Sequence, residues 1–154
     1  MEYKNGQYDF VKDINTGEQG ELFIRKFMEA KNFKYINNCK TFHYDLKMGY
    51  NGNEYTYEIK TDVYKKDTGN LVIEFECRNK PSGINLTQAD YFVYFYPFLG
   101  EIWTIRCSEL RKLIANTKPL IFEGAGDKGS NTKLYRLKKK DIGSYFKLHF
   151  ISSI

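Results

Sequence analysis

At 154 residues the chain is long enough for one domain that buries a core without disulfides or a structural metal. Hydrophobic residues at 42% and aromatics at 17% (13 Tyr, 12 Phe, 1 Trp), with only 3 Pro, exclude long disordered regions and linkers. A net charge of +5 falls short of the strongly basic footprint of a dedicated nucleic-acid binder, so total charge names no partner.

In chain order, the pattern opens with a helix over 16–31, where Phe23, Ile24, Phe27 and Met28 recur at helical spacing behind Thr16 as N-cap. A short strand is predicted over 33–37. Strands over 41–46 and 54–64 flank Lys47–Asn53, in which Asn51-Gly52 marks a hairpin turn. Asp67-Thr-Gly-Asn forms a second turn and leads into a strand over 71–77. Capping residues predict a short helical segment over 85–90, followed by an aromatic buried strand over 91–98. Leu99-Gly100 turns that strand back into 101–107, and Ser108 caps a helix reaching Asn116. A polar loop over 124–131, a late strand over 133–137 and an apolar tail over 145–154 complete the chain. Neither a repeat nor a domain boundary interrupts 1–154. The order predicts an α+β fold: a mixed, largely antiparallel sheet flanked by helices.

Cys39, Cys77 and Cys107 are odd in number and widely spaced, which argues against a disulfide framework and fits a reduced cytosol. With His43 and His149 they form no zinc-ligand cluster. The N-terminus lacks the basic and apolar regions of a signal peptide, and no apolar run approaches the ~20 residues of a membrane span. A cytoplasmic protein with no membrane partner is expected.

The sharpest chemical signal is Tyr57-Glu-Ile-Lys60. Alternation along a strand places Glu58 and Lys60 on one face and Tyr57 and Ile59 on the other. Pairing through the Asn51-Gly52 turn brings Asp45 towards Glu58. Two carboxylates and a lysine on one sheet face can hold a Mg²⁺ ion and the water it activates. Acidic-x-Lys also occurs at Glu2, Glu29 and Asp45, so the triplet alone is weak, and a surface ion pair on a solvated face is the competing reading. Glu21 lies at the edge of the apolar stripe of the first helix, where it either faces the sheet or serves the helix dipole. Glu74 and Glu76 could continue the Glu58 face, with Arg78, Lys80 and Lys60 as neutralising partners.

The order of Glu21 on a helix, Asp45, Glu58-x-Lys60 and a further strand resembles the PD-(D/E)xK nuclease superfamily. It is most similar to small phage-type endonucleases and Holliday-junction resolvases, over about residues 16–116. Tyr44 stands before Asp45 where the superfamily often has Pro. The resemblance implies a restriction-endonuclease-like core and a Mg²⁺-dependent DNA endonuclease (Mn²⁺ substituting), located in the cytoplasm, or the host cytoplasm if viral. Asp45, Glu58, the Ile59 carbonyl and Glu21 would hold the metal, and Lys60 would position the attacking water. Glu74 and Gln88 are further candidates for the site, and Ser82 and Thr87 would donate to DNA phosphates or else cap a turn and helix. A branched-DNA resolvase acting as a homodimer, and an inactive nucleic-acid-binding protein on the same fold, are the alternatives.

Gly124-Ala-Gly-Asp-Lys-Gly129 matches GxGxxG but lacks the strand–helix context of a dinucleotide site and reads as a mobile loop. Residues 128–154 carry seven basic side chains against Asp141, a net +6 that holds the whole excess charge. Lys138-Lys139-Lys140 suits phosphate contacts, with Lys80 alongside, or equally a solvated face.

Overall fold

The computed structural model describes residues 2–4, 7–9, 16–39, 41 and 43–151. It is an α+β structure built on mostly antiparallel sheet, with few helices. A two-stranded hairpin, β1 (Glu2–Lys4) and β2 (Gln7–Asp9), precedes α1 (Thr16–Glu29). Thr16 is the first residue of α1 rather than its expected N-cap.

β3 (Lys34–Asn38), β4 (Leu46–Tyr50) and β5 (Asn53–Thr61) form an antiparallel meander. The Asn51-Gly52 turn is tighter than expected. Tyr50 pairs directly with Asn53, and the two turn residues have φ of +49° and +78°. This is the two-residue geometry that matches strand twist. The expected strand over 41–46 therefore shifts to Leu46–Tyr50, and Asp45 stands before a strand rather than at the end of one.

β6 (Asn70–Cys77) follows the Asp67 turn, where the Asp67 carboxylate accepts the Gly69 N–H at 2.8 Å. After β7 (Lys80–Pro81) and a 3-10 turn at Gly83–Asn85, the chain returns as β8 (Tyr91–Tyr96), parallel to β5, and β9 (Glu101–Arg106). The predicted helix over 85–90 does not form, because its capping groups are engaged at long range. Asp90 accepts the Thr56 N–H at 2.9 Å, and Thr87 reaches Glu58. α2 (Cys107–Thr117), β10 (Leu120–Ala125), β11 (Thr132–Lys138), α3 (Lys139–Ile142) and β12 (Lys147–Phe150) complete the order. Ser108 lies inside α2, whose N-cap is Arg106 with no side-chain cap bond.

The large sheet runs β12-β9-β8-β5-β4-β3, and a second runs β10-β11-β6-β7. β6 is thus not a neighbour of β5, contrary to the expectation that it continues the Glu58 face. α1 covers one face of the large sheet, packing Phe23, Ile24 and Met28 against Leu46, Met48, Tyr57, Val93 and Phe95. Full burial of side chains such as Phe23 and Ile24 contributes about 1.5–3 kcal/mol each. The small sheet and α2 cover the other face through Leu71, Ile73, Leu110, Leu113 and Leu137 against Phe92, Tyr94 and Trp103. β8 is covered on both sides, so its aromatics are core. Among the described residues no helix is long and apolar enough to cross a membrane.

Candidate functional site

The Leu46–Tyr57 pair is the last rung of the β4–β5 ladder on this side. Beyond it the Asp45 side chain takes over, its Oδ2 accepting the Ile59 N–H at 2.7 Å. The Asp45 backbone is held as well, its N–H donating to the Tyr57 carbonyl and its carbonyl accepting from Cys39 N–H and Asn38 Nδ2. Glu58 projects from β5 towards the segment leading into β8, and its Oε2 accepts the Thr87 hydroxyl at 2.9 Å. Thr87 is buried, and the His43 carbonyl accepts the Gln88 N–H at 2.8 Å and lies 3.3 Å from the Thr87 hydroxyl oxygen. Each carboxylate thus has one oxygen fixed by a protein donor.

Glu21 comes from the second turn of α1, which sits close on β5 because Gly20 faces Thr61. A Cβ at Gly20 would lie 1.7 Å from Thr61 Oγ1. The electrostatics link the acids. Burial first, then Asp45, push the Glu21 carboxyl up to about 7. Burial first, then Asp45, Glu21 and Glu74, raise Glu58 to about 7 against the opposing Thr87 bond. Burial raises Asp45 too, opposed by the Ile59 N–H. The charges raising the two glutamates are neighbouring carboxylates, Asp45 and Glu18 on Glu21, and Asp45, Glu21 and Glu74 on Glu58. Glu76 stands apart, paired with Lys133 at 2.7 Å.

The expected cations are not gathered in the same way. Lys60 is exposed at the far end of β5 and is not among the leading charges on any of the three raised carboxyls. Lys80, Lys138, Lys140 and Gln88 are exposed. Three expected phosphate contacts are corrected, the first at Thr87, which is buried with its hydroxyl on Glu58. Lys139 is 8% exposed, and its ammonium bridges Asp67 and Glu101 at 2.9 Å each, over the Tyr96 ring. The Ser82 hydroxyl is buried without a hydrogen-bond partner and caps nothing, so none of the three groups is presented to an outside phosphate. The sequence carries no signal for Thr87 as the anchor of Glu58, since that bond spans 29 residues.

Among the described residues no three Asp, Glu, His or Cys side chains stand in ligating geometry. What is present is a carboxylate pair of hard oxygen donors with a third acid nearby. This set suits an ion such as Mg²⁺ that keeps several waters and takes one or two protein carboxylates. Comparison with protein-family models, with curated proteins and with solved structures finds no match to the chain.

Proposed function

We propose that the protein is a Mg²⁺-dependent endonuclease acting on DNA, with its centre at Glu21, Asp45, Glu58 and Lys60. The observation that carries this reading is the partly buried set of carboxylates from α1, from the residue before β4 and from β5. Asp45 is held by the Ile59 N–H and Glu58 by Thr87, and burial first, with neighbouring acids second, raises Glu21 and Glu58. Repulsion of this kind is uneconomical in a surface of purely structural acids and is relieved by a divalent cation. The meander β3-β4-β5 followed by a parallel β8, with α1 on one face, supports a restriction-endonuclease-like core.

Asp45 and Glu58 would hold Mg²⁺ or Mn²⁺, joined by the Ile59 carbonyl and Glu21. The ion would acidify a bound water and neutralise charge on the scissile phosphate. The chain's own contribution is positional. The Ile59 N–H and the Thr87 hydroxyl fix the two acids, and α1 brings Glu21 to their edge. Lys60, on the same strand face as Glu58, would orient the attacking water or a phosphate oxygen. Lys80, Lys138 and Lys140 would hold the backbone of the nucleic acid.

The position of Lys60 outside the leading charges on the acids favours a second reading, a nucleic-acid-binding protein without activity. The discriminating assay incubates supercoiled plasmid and a four-way junction with the protein in Mg²⁺ or Mn²⁺. Cleavage is expected from the wild type and is expected to drop about 100-fold or more in Lys60→Ala and Glu58→Gln. No cleavage by the wild type in either metal, with DNA retention intact, overturns the nuclease and leaves the binding protein. Selective junction cleavage by a dimer identifies the resolvase.

A further inference from the structure

Beyond the last turn of α1, the same face of the large sheet opens into a groove of about 550 Å³ that shares no residue with the acidic site. Its walls are aromatic. Phe33 and Tyr50 stack at 4.5 Å on one side, and Tyr57 and Tyr91 stack at 5.5 Å on its floor. Tyr50 is 39% exposed and offers its ring to the opening. The tyrosine hydroxyls and Thr104 add polar groups to the rings, which a purely aliphatic ligand would leave desolvated.

The charge of the groove has one sign. Among the described residues no carboxylate lines it, and its basic groups are Lys31, Lys147 and His149. Both lysines are exposed and make no ion pair among the described residues. Burial first, then the charges of Lys147 and Lys31, holds His149 below the ordinary imidazole range. With Lys31 and Lys147, Arg106 is a third cation at the groove, 5.3 Å from the Tyr91 ring. Partly exposed rings, hydroxyls and cations without an ion pair among the described residues are what a nucleotide requires: a flat base to stack, base edges to hydrogen-bond and a phosphate to pair.

We propose that this groove binds unpaired nucleotides of a single-stranded nucleic acid. It lies apart from the proposed nuclease centre, and the site is independent of whether that centre cleaves. The test is fluorescence anisotropy of a fluorescein-labelled ten-nucleotide oligothymidine in EDTA, beside an abasic strand of equal length. Stacking on protein rings is worth about 1–3 kcal/mol per base, so the oligothymidine should bind at least about fivefold tighter than the abasic strand. Tyr50→Ala should weaken it by about tenfold, as should Lys147→Glu, whose side chain is exposed and whose loss does not threaten the fold. Glu109→Gln, at an exposed carboxylate of α2 outside both sites, should leave it unchanged. Equal affinity for the abasic strand overturns the proposal, as does unaltered binding by Tyr50→Ala and Lys147→Glu. Saturable thymidine monophosphate binding without oligothymidine binding also overturns it, in favour of a free nucleotide.

Discussion

At the scale of residues, the acidic cluster carries a stability signature of its own. Glu58 and Glu21 have carboxyls near 7 in the folded protein, above the usual 4.5. Between those values the folded state binds more protons than the unfolded one, so stability without metal falls as pH rises from about 4.5 through 7. A shift of this size on Glu58 corresponds to roughly 2–3 kcal/mol, reduced by its partial exposure. In EDTA, the melting temperature of Glu58→Gln should exceed that of the wild type at pH 7.5 and approach it at pH 5. Addition of Mg²⁺ at pH 7.5 should raise the wild type more than the variant. A pH-independent difference between the two proteins would refute the raised Glu58 carboxyl. Glu58 and Asp45 were legible as a pair because alternation and a turn motif lie within fourteen residues of chain. Thr87 was not, because its partner lies 29 residues away.

At the scale of elements, the placement of Glu21 depends on how closely α1 lies on β5. The gap at Gly20 has no room for a Cβ, with Thr61 Cβ itself only 2.8 Å from that position. Alanine is the better helix former by about 1 kcal/mol, but here overpacking dominates at about 1–3 kcal/mol. Gly20→Ala should therefore lower stability in urea denaturation and reduce Mg²⁺-dependent cleavage together. Thr61→Ala added to it removes the nearest atom and should restore part of both losses, whereas additive destabilisation would show that the contact does not set the helix position. α1 was readable from its 3.6-residue period, and β5 from its alternation. The close approach at Gly20 was not, since a helical glycine looks like a weak point until its neighbour is known.

At the scale of the whole molecule, the basic C-terminal segment does not act as one patch. Lys133 pairs with Glu76, Arg136 lies 4.5 Å over the Phe122 ring, and Lys139 is internal. Lys139 fastens α3 to the large sheet, through Glu101 at the start of β9 and through the Asp67 turn. Removing it leaves Glu101, whose side chain is only 15% exposed, without a cation and with the Trp103 indole N–H as its remaining donor. Lys139→Ala should cost about 3 kcal/mol of unfolding free energy by chemical denaturation. Lys138→Ala and Lys140→Ala should change it by less than about 0.5 kcal/mol. Equal effects from all three lysines would contradict the internal position of Lys139.

Local chemistry, written over a few residues, determined much of this protein by sequence alone. The first helix, the Asn51-Gly52 and Asp67 turns, the strands around Ile59, Tyr94 and Ile102, and the shared face of Glu58 and Lys60 all follow from periodicity and turn residues. Tertiary structure alone decided which strands neighbour one another. It set β8 beside β5 in parallel and moved β6 to a second sheet. It buried Lys139 and Ser82, gathered Glu21 with Asp45 and Glu58, and left an aromatic groove open past the end of α1. The physical reason is that a periodic pattern specifies which face of an element is apolar, while the partner covering that face is chosen by the packing of segments far apart in the chain.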